Sequence, residues 1–129
     1  MSSRVRHCVW LLILSAWGLV PHPTCASGYL TGINSGVTVS GYMMNDGTGG
    51  GGYGMTLFVS GISNPDNCGG TDKVYIPGSD PDFNGLAAAV MTAVASGEQV
   101  GFWSSGCALM PFWGGTVSYP VIVTLWVVP

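Results

Sequence analysis

Charge is what this 129-residue sequence has least of: Asp, Glu, Lys and Arg together make up 7% of it. Two of its three basic side chains, Arg4 and Arg6, and both histidines, His7 and His22, fall in the first 26 residues. Beyond them Lys73 stands alone against Asp46, Asp66, Asp72, Asp80, Asp82 and Glu98, one cation against six anions and a formal charge of −5. Phosphate binding works by Lys and Arg displacing counterions, so nucleic acid is excluded as a partner. Without histidine there is no ordinary general base for a serine or cysteine nucleophile and no imidazole metal ligand. Lys73 reads as a solvated residue at a short strand, and the six acids show no spacing that singles out a catalytic pair. No catalytic residue, metal or cofactor is therefore assigned. Long hydrophobic runs are also missing, since the apolar stretch Cys8 to Val20 falls short of the roughly 20 residues that span a bilayer as a helix.

That stretch has another reading. Arg4, Arg6 and His7 precede it, Pro21 and Pro23 follow it, and Thr24-Cys25-Ala26 ends in a small-x-Ala pattern. Residues 1–26 thus read as a cleaved secretory signal, and residues 27–129 as one domain exported to a secreted or periplasmic compartment, with no membrane span. The His22-Pro23-Thr24 context does not suit lipid attachment at Cys25. Of four cysteines, Cys8 and Cys25 leave with the signal. Cys68 and Cys107 remain as an even pair in an oxidising compartment, which predicts one disulfide. A loop of about 40 residues closed in this way is worth roughly 4 kcal/mol in the chain-entropy account.

What is present is apolar and periodic. Hydrophobic residues make up 47% of the sequence beside 21 glycines, a composition that disordered chains do not have. Val37-Thr38-Val39-Ser40-Gly41-Tyr42-Met43 alternates as a strand with Val37, Val39 and Met43 on one face. Asp46-Gly47 and the run Gly49 to Gly52 form a loose hairpin connection rather than a phosphate cradle, for no Lys-Ser or Lys-Thr follows. Met55 to Ile62 and Lys73 to Ile76 are the second and third strands, separated by the turn Asn64-Pro65-Asp66-Asn67. Asp80 as cap, Pro81 at the first helical position and Asp82 near the positive pole predict a helix start. Phe83, Leu86, Ala87, Val90, Met91 and Val94 supply its apolar stripe, and Gly97 its left-handed C-cap. Read instead as paired carboxylates, Asp80 and Asp82 would suggest acid–base or metal chemistry, but capping accounts for both. Gln99 to Ser104 is the fourth strand, bringing Cys107 to its end. Pro120 to Val128 is the fifth, apolar on both faces, and so either central in the sheet or in contact with another subunit.

Three strands, one helix and two strands in a small chain with one disulfide predict a mainly β domain, a five-stranded Greek-key barrel of the OB type. Phe83-x-x-Leu86 opening the helix, Ala93-Val94-Ala95-Ser96-Gly97-Glu98-Gln99-Val100 running into the next strand, and the late Cys107 carry a resemblance. On these residues the second half of the chain resembles the B subunits of bacterial AB5-type toxins of the subtilase-cytotoxin and typhoid-toxin type. The resemblance implies a secreted ring-shaped homo-oligomer, a pentamer, that binds cell-surface glycans. The sugar-contacting residues of the family's first strands have no counterpart placed on Asn34 to Tyr42, so no glycan specificity is carried over.

Sugars are recognised by aromatic faces and neutral hydrogen-bonding groups. Tyr29, Tyr42, Tyr53, Trp103, Phe112 and Trp113 offer the former, and the many Ser, Thr and Asn the latter. Trp113, in a Pro- and Gly-rich loop with Phe112, is the stronger ligand candidate, whereas Trp103 lies in a strand and serves a core equally well. The rival expectation is a structural, self-assembling protein with no small ligand, because sparse charge and an apolar last strand also suit subunit contacts.

Overall fold

The computed structural model describes residues 27–46, 53–110 and 116–129. The expected signal segment, the glycine run Gly49 to Gly52, and both Phe112 and Trp113 lie outside the described residues. The described chain is mainly β with one helix. Its elements are β1 (Gly28–Tyr29), β2 (Gly41–Asp46), β3 (Tyr53–Phe58), β4 (Lys73–Pro77), α1 (Phe83–Ser96), β5 (Gln99–Leu109) and β6 (Ser118–Val128).

Where the sequence pattern gives five strands, the structure has six, in one mixed sheet ordered β1-β5-β6-β4-β3-β2. The added strand is β1, two residues paired with Ser104 and Trp103 of β5 and too short to carry an alternating pattern. β2, β3 and β4 form an antiparallel meander, β5 and β6 an antiparallel pair, and β4 meets β6 in parallel at Tyr75 and Val121. The first expected strand is divided. Val37 bridges to Val100 of β5, whereas Ser40 already donates to the Phe58 carbonyl and the ladder with β3 starts at Gly41. β6 lies between β5 and β4, so the strand that is apolar on both faces is interior to the sheet.

One face of the sheet meets α1. Met55, Leu57, Val74, Ile76, Val100, Phe102 and Ile122 from the strands pack with Phe83, Ala87, Val90 and Ala93 of the helix, all buried. The residues between them on β4 and β5 point the other way, as the period of two requires. Tyr75 joins Met110 and Tyr119 in a second, smaller cluster. Met91, expected in the helical stripe, is instead 39% exposed, because it follows Val90 by one residue and so turns about 100° from the buried line.

The helix starts later than Pro81. Asp82 is its N-cap and makes no side-chain capping bond, while the Asp80 carboxylate accepts the Asp82 N–H at 2.9 Å. An aspartate bonded two residues ahead closes a turn of its own, which places Pro81 in that turn rather than in the helix. Gly97 is the C-cap as expected, with φ 75° and its N–H donated to the Ala93 carbonyl. Cys68 and Cys107 are disulfide-bonded with Cα atoms 5.5 Å apart, and Cys107 lies within β5 rather than past its end.

Two groups with raised pKa contribute to the alkaline behaviour of this fold. Burial pushes the Tyr75 phenol above 10.0, and its hydroxyl donates to the Tyr53 carbonyl at 3.2 Å. A hydrogen bond from Lys73 to the Asp72 carboxylate holds the Lys73 ammonium above 10.5. Both groups keep their protons to higher pH folded than unfolded. The stability they contribute is complete below the unfolded values and is lost as pH rises through the folded ones. Denaturant titrations are expected to give constant stability from about pH 7 to 9 and a decline above about pH 10, made shallower by Tyr75→Phe. A decline of the same steepness in that variant would remove Tyr75 from the account.

Candidate functional site

On β5 and β6 the alternation that sends Phe102 and Leu125 to the core sends Gly101, Trp103, Thr124 and Trp126 to the opposite face. Trp103 stands across from Thr124, and Gly101 across from Trp126. Next to this pair the register slips: Trp103 faces Thr124 but Ser104 faces Ile122, leaving Val123 unmatched. Such a bulge re-aims side chains. Here it lets consecutive residues Val123 and Thr124 both line the same cleft, while Ile122 stays wholly buried.

The cleft is an open concavity of about 500 Å³ lined by Tyr29, Ile33, Trp103, Val123, Thr124 and Trp126. Tyr29 is brought there by β1, whose pairing sets it against Trp103. Its ring meets Trp103 edge to face, with centroids 4.5 Å apart and planes at 88°, and meets Trp126 at 6.0 Å and 72°. Quadrupoles favour this perpendicular arrangement, and it leaves indole surface uncovered beside an upright phenol. Tyr29 is 45% exposed and Ile33 62%.

Trp126 is held from two sides. Its indole N–H donates to the Ser35 carbonyl at 3.1 Å, fixing the turn that carries Ile33. Its ring also lies over Gly101, where a Cβ would come within 2.1 Å of the indole. The glycine is therefore the seat of the tryptophan. Backbone bonds support the other wall: Leu30 N–H donates to the Phe102 carbonyl at 2.9 Å, and Phe102 N–H to the Thr31 hydroxyl at 3.2 Å.

The lining carries neutral hydrogen-bonding capacity. The Tyr29 hydroxyl, the Trp103 indole N–H and the Thr124 hydroxyl have no bond to another described residue. A ring-shaped neutral ligand could stack on indole and bond to these three groups.

The expected site residues divide. Trp103 is in the cleft. Tyr42 is not; it sits on β2, at the far end of the strand order, 39% exposed. Phe112 and Trp113 belong to the undescribed stretch between β5 and β6. Trp126, Ile33, Val123 and Thr124 were absent from the sequence expectation. One signal pointed to Trp126: Gly101 interrupts an otherwise apolar strand, and a strand glycine marks the close approach of another group.

Other clusters do less. Ser104 is wholly buried and donates to Asp66, which ties the turn before Cys68 to β5 and keeps the hydroxyl from solvent. Asp80 and Asp82 are joined by the turn bond above. Among the described residues no group of three or more His, Cys, Asp or Glu is placed to hold a metal ion, and no helix is long and apolar enough to cross a membrane. Comparison with family models, curated proteins and solved structures found no match.

Proposed function

We propose that this chain is an exported, non-catalytic binding module that holds a cell-surface glycan in the cleft of Tyr29, Trp103 and Trp126. The observation that carries the reading is the cleft itself: two indoles with a phenol set edge-on to both, and three neutral polar groups that no other described side chain uses. Aromatic faces bind the C–H faces of pyranose rings, and hydroxyls and an indole N–H satisfy their hydroxyls.

The scaffold reading is an OB-like barrel. It draws support from the connectivity, a three-stranded meander, then α1, then a hairpin whose second strand runs parallel to β4. Val37 bridges to Val100 of β5 and Gly41 onward pairs with β3, so one continuous segment touches both strands; this supports the barrel reading, while the ladders themselves form an open sheet with β1 and β2 at its ends. In this fold the loops after the first and fourth barrel strands contribute to ligand binding. Those loops are the glycine run and the segment with Phe112 and Trp113, which extends the sequence-based candidates without displacing the cleft. Export rests on residues 1–26, and ring assembly on the toxin B-subunit resemblance.

A glycan array on the purified protein, followed by titration with Trp103→Ala, tests the reading. A single pyranose subsite should bind with a Kd on the order of 1 mM, and Trp103→Ala should weaken it at least about tenfold. Unchanged affinity in the variant, or no glycan bound by folded protein, would refute it. Self-assembly without a ligand is the second reading, favoured by Tyr42 at 39% and Met44 at 45% exposure on the edge strand β2. Sedimentation equilibrium gives its measure: a concentration-independent monomer would remove it.

A further inference from the structure

Resting on that reading, we infer that Ile33 determines specificity: it makes the cleft prefer a 6-deoxyhexopyranoside, whose C5 carries a methyl group, to the same sugar with a hydroxymethyl there. The observation behind this is a large aliphatic side chain, 62% exposed, at the lip of an aromatic cleft. Ile33 is held in place. Its turn is closed by the Ser35 N–H and hydroxyl, which both donate to the Gly32 carbonyl, at 3.0 and 3.1 Å. The turn is then pinned to the sheet on both sides, where Phe102 N–H donates to the Thr31 hydroxyl and the Trp126 indole N–H to the Ser35 carbonyl. A β-branched side chain on so fixed a backbone has little freedom to lose on contact.

The lining is sorted by chemistry. Tyr29 and Thr124, which flank Trp103, carry its hydroxyls. Ile33 stands at the Trp126 end, and the Gly32 and Ser35 carbonyls on either side of it are already engaged. Val123, the other aliphatic residue, is half-buried in the sheet, so Ile33 is the one that projects. In a pyranose the C2 and C3 hydroxyls lie across the ring from C5. A ring that turns those hydroxyls to the polar groups presents its C5 substituent to Ile33. A methyl group there buries apolar surface, whereas a hydroxymethyl loses water against aliphatic carbon and finds no partner. The preference draws on both effects.

Matched glycosides isolate the methyl group. Methyl β-D-fucopyranoside is titrated against methyl β-D-galactopyranoside, and methyl 6-deoxy-β-D-glucopyranoside against methyl β-D-glucopyranoside, with tryptophan fluorescence as readout. All four are uncharged, so the α-amino group that the expected cleavage leaves on Ser27 does not separate them by charge. In at least one pair the 6-deoxy member is expected to bind about three- to tenfold more tightly. Ile33→Ala should bring that ratio to within about twofold of unity, and Ile33→Val should keep most of it. Both variants should unfold near the midpoint of the native chain, because the side chain is mostly in solvent. Equal affinity within both pairs would overturn the inference and leave glycan binding standing. A preference that Ile33→Ala leaves unchanged would overturn it as well, since another residue would then read the methyl group. Failure of every glycoside to bind folded protein would overturn both.

Discussion

Cys107→Ser is expected to lower stability by about 2–5 kcal/mol, a large part of the roughly 5–15 kcal/mol that holds a domain of this size together. The bridge closes 39 residues of sequence separation, from the turn before β4 to the C-terminal end of β5. In the chain-entropy account its loss frees a loop worth roughly 4 kcal/mol in the unfolded state. The folded state suffers as well. The turn that ends in Cys68 is organised by Asn64, whose side chain accepts the Cys68 N–H at 2.8 Å and donates to its carbonyl at 2.9 Å. The same segment reaches the cleft side: Ser63 N–H donates to the Leu30 carbonyl, and Pro65 lies against Gly28. Losing the bridge therefore loosens the support of β1 and of Tyr29. Urea unfolding of the oxidised protein, the reduced protein and the variant is expected to give the latter two nearly the same midpoint, well below the first. Equal midpoints for all three would mean that the disulfide does not stabilise the fold.

Gly101→Ala is expected to do its damage at the cleft. Removing a strand glycine ordinarily gains about 0.4–1 kcal/mol by restricting the unfolded chain. Here the new methyl would sit inside the Trp126 indole, and overpacking of that kind costs about 1–3 kcal/mol. The clash wins, so one methyl group destabilises the protein and turns Trp126 out of its seat, with loss of the bond to Ser35. Glycan affinity should fall at least about tenfold although no contacting residue has changed. A variant with unaltered unfolding midpoint and unaltered binding would show that Trp126 is not held as described.

The legible parts of this fold were those where a local signal and the tertiary demand agree. The α1 stripe and its Gly97 cap are of this kind, as is the Cys68 and Cys107 pair, which residue counting alone brings together. The β2 and β3 hairpin followed from alternation on both sides of a glycine run. The helix begins two residues later than its sequence signals place it, because Asp80 closes a turn as readily as it caps a helix and sequence does not say which.

Less of the site was legible. It depends on β1, which is two residues long, and on a bulge at Val123 that shifts which side chains share a face. Neither leaves a periodic trace. Trp103 was in view, yet a strand tryptophan reads equally as core. Its role became distinct only when the ladder set it opposite Thr124 and beside Tyr29. Trp126 lies in a strand apolar on both faces, where the second apolar face reads equally as a central position in the sheet or as subunit contact.

The most direct measurement is the pair of indole N–H resonances of Trp103 and Trp126 in a 15N-labelled sample titrated with methyl β-D-galactopyranoside and methyl β-D-glucopyranoside. The account predicts that both shift and saturate together with one of these glycosides, Trp103 because its N–H meets the ligand and Trp126 because the ring beside it does. Saturable binding that leaves both indole resonances in place would contradict it, since the ligand would then be held elsewhere on the protein.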